Sequence, residues 1–374
     1  MSSRRRRLVV KIGSSLLVEA EHGLRQADGG LRKAWLASLA ADLAERRKAG
    51  DELIIVTSGA IAMGRAALSI DQNGSRLDEK QAAAAIGQIH LAHAYQASLA
   101  DHGLVTAQVL LTLEDTENRR RYLNARSTIE ALLRLGAIPV VNENDTVATS
   151  EIRFGDNDRL SARVAVMASA DQLILLSDVD GLYTANPALA AHAEHIGHVE
   201  KITPEIEAMA GGSGSTVGTG GMVSKLIAAK IATHAGCGVT LASGLDMNPL
   251  SQLTNGGRCT TFAAATTPMR ARKHWIAGSL GVMGVAVIDD GAAAALKSGR
   301  SLLPAGVTAI EGRFERGDPI LVRDPKGQDI AKGLSAYDTE DARRIQGRRT
   351  EAIAEILGYQ GRDELIHRDD LVLL

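Results

Sequence analysis

From residue 7 to about residue 262 the chain repeats one rhythm: a short, almost wholly apolar β-rich run, then a stretch with helical spacing. The runs are Leu8 to Ile12, Leu53 to Thr57, Val105 to Leu111, Ile138 to Asn142, Leu173 to Ser177 and Val239 to Ala242. A strand with one wet face alternates apolar and polar residues, so strands without that alternation call for cover on both faces. Between the first two runs, Leu36, Leu39, Ala40, Leu43 and Ala44 recur at helical spacing, and Gly50 stands where such a helix would stop. Repeated, this βαβ unit predicts an α/β fold, a three-layer αβα sandwich around a mainly parallel sheet. Glu151 to Gly155 breaks the rhythm and predicts a hairpin or flap.

At 374 residues the chain is longer than one hydrophobic core usually organises, and its texture changes near residue 278. Beyond that point short runs are punctuated by Gly284, Gly291, Gly299, Gly306, Gly312, Gly317, Gly327 and Gly333, which predicts a small β-rich domain. Pro268 to Trp275, with Arg270, Arg272 and Lys273, reads as the connection. The expected division is therefore residues 1–262, a linker at 263–277, and residues 278–374.

A formal net charge of −2 supplies no general attraction to nucleic acid or to anionic membranes. No apolar run approaches the roughly 20 residues of a membrane helix. The arginines Arg4 to Arg7 run straight into a strand, not into a signal-peptide core, and read as a solvated tail. Cys237 and Cys259 are the only cysteines, and two unclustered thiols suit a reducing compartment better than a disulfide framework. These features point to a cytoplasmic protein that acts on small molecules or proteins. His192, His195 and His198 recur every three residues but lack a carboxylate or cysteine framework, and read as a solvated loop.

The segment Gly211 to Lys225 places six glycines in eleven residues directly before a helical pattern at Met222, Val223, Leu226, Ile227 and Ile231. Glycine lets backbone N–H groups turn toward an anion, and the helix start adds unpaired N–H groups and a positive dipole end. The order is not that of a Walker A loop, because Ser224 precedes Lys225. A glycine-rich run is equally what a flexible connector looks like.

Further polar clusters fall at or just past the strand ends: Lys11 with Gly13-Ser14-Ser15, Thr57 to Ala60, Asn142 to Asp145, and Ser177-Asp178. Singly, Ser14, Ser58 and Asp178 read as helix caps. Together they share the edge where open α/β sheets bind ligands. Gly155-Asp156-Asn157-Asp158 puts two carboxylates and an amide on one turn, which can hold an ammonium group or a metal, orient lysines, or simply cap the helix that follows. Lys11, at the end of a buried strand, needs a compensating anion, and a phosphate together with Asp158 would provide one.

VVKIGSS at 9–15, VTSGAIAMG at 56–64, YLNAR at 122–126, PVVNENDTVAT at 139–149, FGDNDRLSA at 154–162, LLSDVDGLYT at 175–184 and GTGGMVSK at 218–225 together resemble the glutamate branch of the amino acid kinase family. DDGAAAAL at 289–296, GRSLLPAGV at 299–307 and IAKGLSAYD at 330–338 are similar to the PUA domain that follows the kinase domain in that branch. The resemblance implies that Lys11 and Lys225 grip the transferring phosphoryl group while Asp158 orients them. It places Ser58, Asn142, Asp145, Asp156 and Asn157 at the amino-acid substrate, and Lys11, Ser177, Asp178, Thr219, Gly220, Gly221, Met222, Val223, Ser224 and Lys225 at ATP. Three positions depart from the family pattern: Ser177 and Ser224 stand where threonine is usual, and Asn186 replaces the aspartate that commonly precedes the proline.

The implied reaction is phosphoryl transfer from ATP, with Mg²⁺, to the γ-carboxylate of L-glutamate. That carboxylate, with a pKa of about 4.3, is already ionised at neutral pH, so no general base is needed and catalysis rests on alignment and charge neutralisation. The resemblance further implies feedback inhibition by proline, a homo-oligomer, and delivery of the product to glutamyl phosphate reductase. Two alternatives stand beside it: another amino acid kinase, acting on acetylglutamate or carbamate, and RNA binding through the PUA domain. Against the second, residues 278–374 carry 13 Lys and Arg against 16 Asp and Glu, and Phe314, Tyr337 and Tyr359 are too scattered for a stacking platform.

Overall fold

The computed structural model describes residues 5–18, 30–68, 70, 76–147, 156–190, 192–210, 221–278 and 281–374. The expected flap at Glu151 to Gly155 and the glycines before Gly221 lie outside the described residues. The chain divides into two compact units between Pro268 and Met269.

In the first unit the strands are β1 (Arg7–Ile12), β2 (Glu52–Val56), β3 (Thr106–Leu111), β4 (Ile138–Glu143) and β5 (Gln172–Ser177). A small ribbon, β6 (Leu182–Tyr183) with β7 (His195–Ile196), follows, and then β8 (His198–Val199), β9 (Gly238–Ser243) and β10 (Cys259–Phe262). Among the described residues, eight of these form one sheet in the order β3-β4-β2-β1-β5-β9-β10-β8. The six apolar runs are its parallel strands, from β3 through β9. The two further strands are short, and β10 runs antiparallel to β9. With two and four residues, they are too short to show a period in sequence. His198 belongs to β8, where its ring meets Thr261 Oγ1 at 2.9 Å, and His195 belongs to β7 with its ring edge against Tyr183. The solvated-loop reading is therefore corrected for both histidines, since sheet pairing organises their backbone.

The strand period of two sends Val9, Ile54, Val56 and Leu175 to one face, under the helices Asp156–Met167 and Met222–His234. Leu8, Val10, Ile55 and Leu176 go to the other, under Lys33–Lys48 and Leu77–Ala100. Two cores on one sheet give the three layers. Arg7 leaves the arginine run to pair with Glu52 at 2.7 Å, while Arg5 and Arg6 stay exposed. Helices Ala60–Leu68 and Leu77–Ala100 cross at backbone contact: a Cβ on Gly64 would stand 1.8 Å from the Ala83 carbonyl oxygen, and one on Gly87 would stand 1.7 Å from that of Ala60. Only glycine permits that approach.

The second unit has its own sheet of β11 (Gly284–Ile288), β12 (Val307–Gly312), β13 (Pro319–Arg323), β14 (Asp329–Leu334) and β15 (Leu371–Leu373), in the order β12-β11-β13-β14-β15. Ile288, Phe314, Val322, Tyr337, Ile345 and Ile366 form a separate core. Asp289 and Asp338 cap its helices Asp290–Lys297 and Thr339–Ile345 by accepting from backbone N–H groups at 2.6 and 2.9 Å. Residues 268–278, most of which lie in the expected connection, form a helix whose Arg272 pairs with Asp370 of this unit.

Candidate active site

Lys11 lies two residues beyond Val9 on β1, so it shares the face covered by Asp156–Met167 and Met222–His234, at the carboxyl end of the strand. Both helices bring their N-terminal turns to it. Lys11 Nζ is 2.5 Å from Asp158 Oδ1, and Lys225 Nζ is 3.5 Å from Asp158 Oδ2. The Ser224 hydroxyl donates to the same Oδ2 at 2.6 Å. Asp158 is 1% exposed, and both lysines are also buried. Burial pushes the Asp158 carboxyl up, but the charges of Lys11 and Lys225 and the hydrogen bonds from Lys11 and Ser224 outweigh it and hold the group below the usual carboxylate range.

Within this trio two ammonium groups face one carboxylate. The excess positive charge suits an incoming phosphoryl group. Gly221 caps the helix Met222–His234 without any side-chain bond to the first turn; the Ser224 N–H turns back to the Gly221 carbonyl at 3.2 Å, which leaves Met222 and Val223 to offer backbone N–H groups at the helix start. Thr219 and Gly220 lie outside the described residues.

Strand order reverses at β1 and β5, the sheet position where α/β folds place ligands. Ser177 closes β5 beside β1 and donates from its hydroxyl to Asp178 Oδ1 at 2.8 Å; Asp178 itself is exposed. The second departure, Ser224, keeps the hydroxyl that reaches Asp158. Asn186 accepts the Ala188 N–H at 3.0 Å through its side-chain oxygen, a turn contact an aspartate would also make.

On the other side of β1, Thr57 N–H donates to the Val141 carbonyl at 2.9 Å, which sets Ser58 and Asn142 at neighbouring strand ends. Ser58 donates to the Ile12 carbonyl at 3.2 Å. Asn142 is buried, its Nδ2 donates to Gln88 Oε1 at 2.7 Å, and its Oδ1 is buried without a hydrogen-bond partner. Asn157 Oδ1, in the first turn of its helix, is in the same condition. Asp145 is buried in the turn after β4, and Asp156 begins the helix that carries Asp158. Buried acceptors and a buried carboxylate suit a ligand ammonium group, which can only donate.

Two contributors escaped the reading of motifs. Gln88 sits mid-helix with no motif around it; the nearest signal is Gly87, whose close approach to Ala60 is invisible in one dimension. Tyr95 meets Thr57 Oγ1 at 2.9 Å beneath the Ser58 segment, and burial pushes its phenol up. Burial likewise pushes the thiols of Cys237 and Cys259 up.

Residues 6–243 match the model of the amino acid kinase family, and residues 284–357 match that of the PUA domain. A Paramagnetospirillum magneticum protein named glutamate 5-kinase is 57% identical over 98% of both chains. A Bradyrhizobium protein of the same name is 56% identical over 98% of this chain and 96% of its own. Among solved structures, a carbamate kinase from Giardia lamblia bound to AMP-PNP shares the fold, with a TM-score of 0.50 at 15% identity over 70% of this chain and 99% of that one. The chain thus belongs to the amino acid kinase family, in the branch of the glutamate 5-kinases that carry a C-terminal PUA domain.

Proposed function

We propose that the chain transfers the γ-phosphoryl group of ATP to the γ-carboxylate of L-glutamate, giving the acyl phosphate that begins proline synthesis. Identity of 57% along almost the whole of a glutamate 5-kinase supports the reaction. The observation that carries the mechanism is the buried carboxylate of Asp158 between Lys11 and Lys225. Lys11 and Lys225 draw charge from the phosphoryl oxygens as the bond to the leaving nucleotide stretches, and Asp158 with Ser224 keeps the ammonium groups from moving apart. No base is needed in this scheme, because the acceptor carboxylate is already ionised at neutral pH, and Asp158 serves to hold the lysines.

Substrate recognition is assigned to Ser58, Asn142, Asp145, Asp156 and Asn157. Asn142 Oδ1 and Asn157 Oδ1 accept from the α-ammonium, Asp145 and Asp156 supply opposite charge, and Ser58 serves a carboxylate. The nucleotide is assigned to Ser177, Asp178 and residues 219–225. Magnesium is assigned to the nucleotide, since Mg²⁺ commonly rests on substrate phosphates and water. When bound it neutralises phosphate charge beside the lysines.

The reading places the reaction in residues 1–262, with the PUA domain at 278–374 beyond a connection at 263–277. It includes feedback inhibition by proline, a homo-oligomer, transfer of product to glutamyl phosphate reductase, and a cytoplasmic location. Among the described residues no helix is long and apolar enough to cross a membrane. RNA binding is disfavoured by the excess of acidic over basic residues in 278–374. ATP turnover that depends on L-glutamate, is absent with N-acetyl-L-glutamate or carbamate, and falls with added proline tests the reading.

A further inference from the structure

Asn142 is an amide at the candidate substrate site whose orientation is tied by a side chain outside the recognised motifs. Its Nδ2 donates to Gln88 Oε1 at 2.7 Å, and its Oδ1 is left buried without a hydrogen-bond partner. An asparagine amide presents a donor at one end and an acceptor at the other, so whichever end is tied decides the polarity of the end offered to a ligand. Here the acceptor is offered. The opposite orientation would set N–H groups against a substrate ammonium group, which is also a donor only, and leave both unsatisfied.

Gln88 is placed for this by packing. It follows Gly87, whose missing Cβ lets helix Leu77–Ala100 touch the backbone at Ala60, two residues past Ser58. The helix is thereby drawn to the strand ends where Asn142 lies.

We infer that Gln88 is a positioning residue: it locks the Asn142 amide with its oxygen toward the α-ammonium of the amino-acid substrate, and so sets glutamate affinity without touching the nucleotide. The inference rests on the proposed substrate reading of the Asn142 site.

The test compares full-length wild type, Gln88→Met, Gln88→Glu, Asn142→Ala and the Gln88→Met/Asn142→Ala double variant by steady-state kinetics with both substrates. Gln88→Met keeps length but removes the acceptor, and should raise the glutamate KM about 10-fold or more with the ATP KM nearly constant. Gln88→Glu can only accept at this position and should recover most of that loss. In the Asn142→Ala background, Gln88→Met should add almost nothing, since its effect runs through Asn142. The inference is overturned if Gln88→Glu is as impaired as Gln88→Met, if the two changes simply add, or if Gln88→Met raises both KM values together with a fall in Tm. Wild type that fails to turn over glutamate at all refutes the functional reading itself, an outcome distinct from a normal wild type with an unaffected Gln88→Met.

Discussion

Lys11 and Asp158 meet at 2.5 Å in a pair almost sealed from water, and Lys225 approaches the other oxygen of the same carboxylate at 3.5 Å. One anion thereby holds two cations from different elements, a strand end and a helix start. The arrangement stores a positive surplus at the position where the sheet order reverses. On the proposed reading this divides the labour: Asp158 fixes geometry and the lysines meet the developing charge.

Asp158→Asn keeps the shape of the carboxylate but leaves two buried ammonium groups facing each other. Removing one partner of a buried ion pair costs about 3–5 kcal/mol, so a clear fall in Tm is expected together with a loss of kcat. MgATP should restore more Tm to this variant than to wild type, because phosphates replace the missing anion. Equal thermal stability of the two proteins without nucleotide would remove Asp158 from its structural role.

The depressed titration of Asp158 also gives stability a pH dependence. The folded protein binds this proton less readily than the unfolded chain, whose carboxyl titrates near 3.8. The contribution is therefore fully present above about pH 4 and is lost as pH falls through the lower folded value. The gap in urea midpoint between wild type and Asp158→Asn should narrow as pH falls from 7 into the acid range. A gap that stays constant on acidification would show that no stability is linked to this proton.

Lys11→Ala and Lys225→Ala should each lower kcat by about 10²–10³, with glutamate KM changed far less, because their charges matter most as the phosphoryl group moves. A raised glutamate KM with kcat intact would place them in ground-state binding instead.

Asp145→Ala is expected to do the reverse: a glutamate KM raised about 10-fold or more, with the ATP KM little altered. Isothermal titration with glutamate checks the same point without turnover. Wild-type affinity in the variant would exclude Asp145 from the substrate site.

The sheet was legible because burial on both faces leaves a direct mark, an unbroken apolar run, and β1 lies within one residue of where Leu8 to Ile12 placed it. Lys11 was legible for the same reason: a charge inside such a run demands a partner. Asp158 stood in a turn rich enough in carboxylates to nominate itself. β8 and β10 were not legible, since strands of two and four residues at the end of a sheet carry no period worth reading. Ser224 was read as a nucleotide contact, yet its hydroxyl reaches Asp158 across the fold, a pairing that depends on two helix starts meeting. Gln88 left no mark at all, because its role depends on the helix crossing that Gly64 and Gly87 allow.

Whether the acceptor is the γ-carboxylate of free L-glutamate is tested most directly by running the enzyme with MgATP and L-glutamate in hydroxylamine and identifying the trapped product by mass spectrometry and NMR. The expected result is L-glutamate γ-hydroxamate formed in step with ADP, none from N-acetyl-L-glutamate or carbamate, and none from Lys11→Ala/Lys225→Ala. ADP released without hydroxamate, or hydroxamate formed equally well from the acetylated substrate, would contradict it.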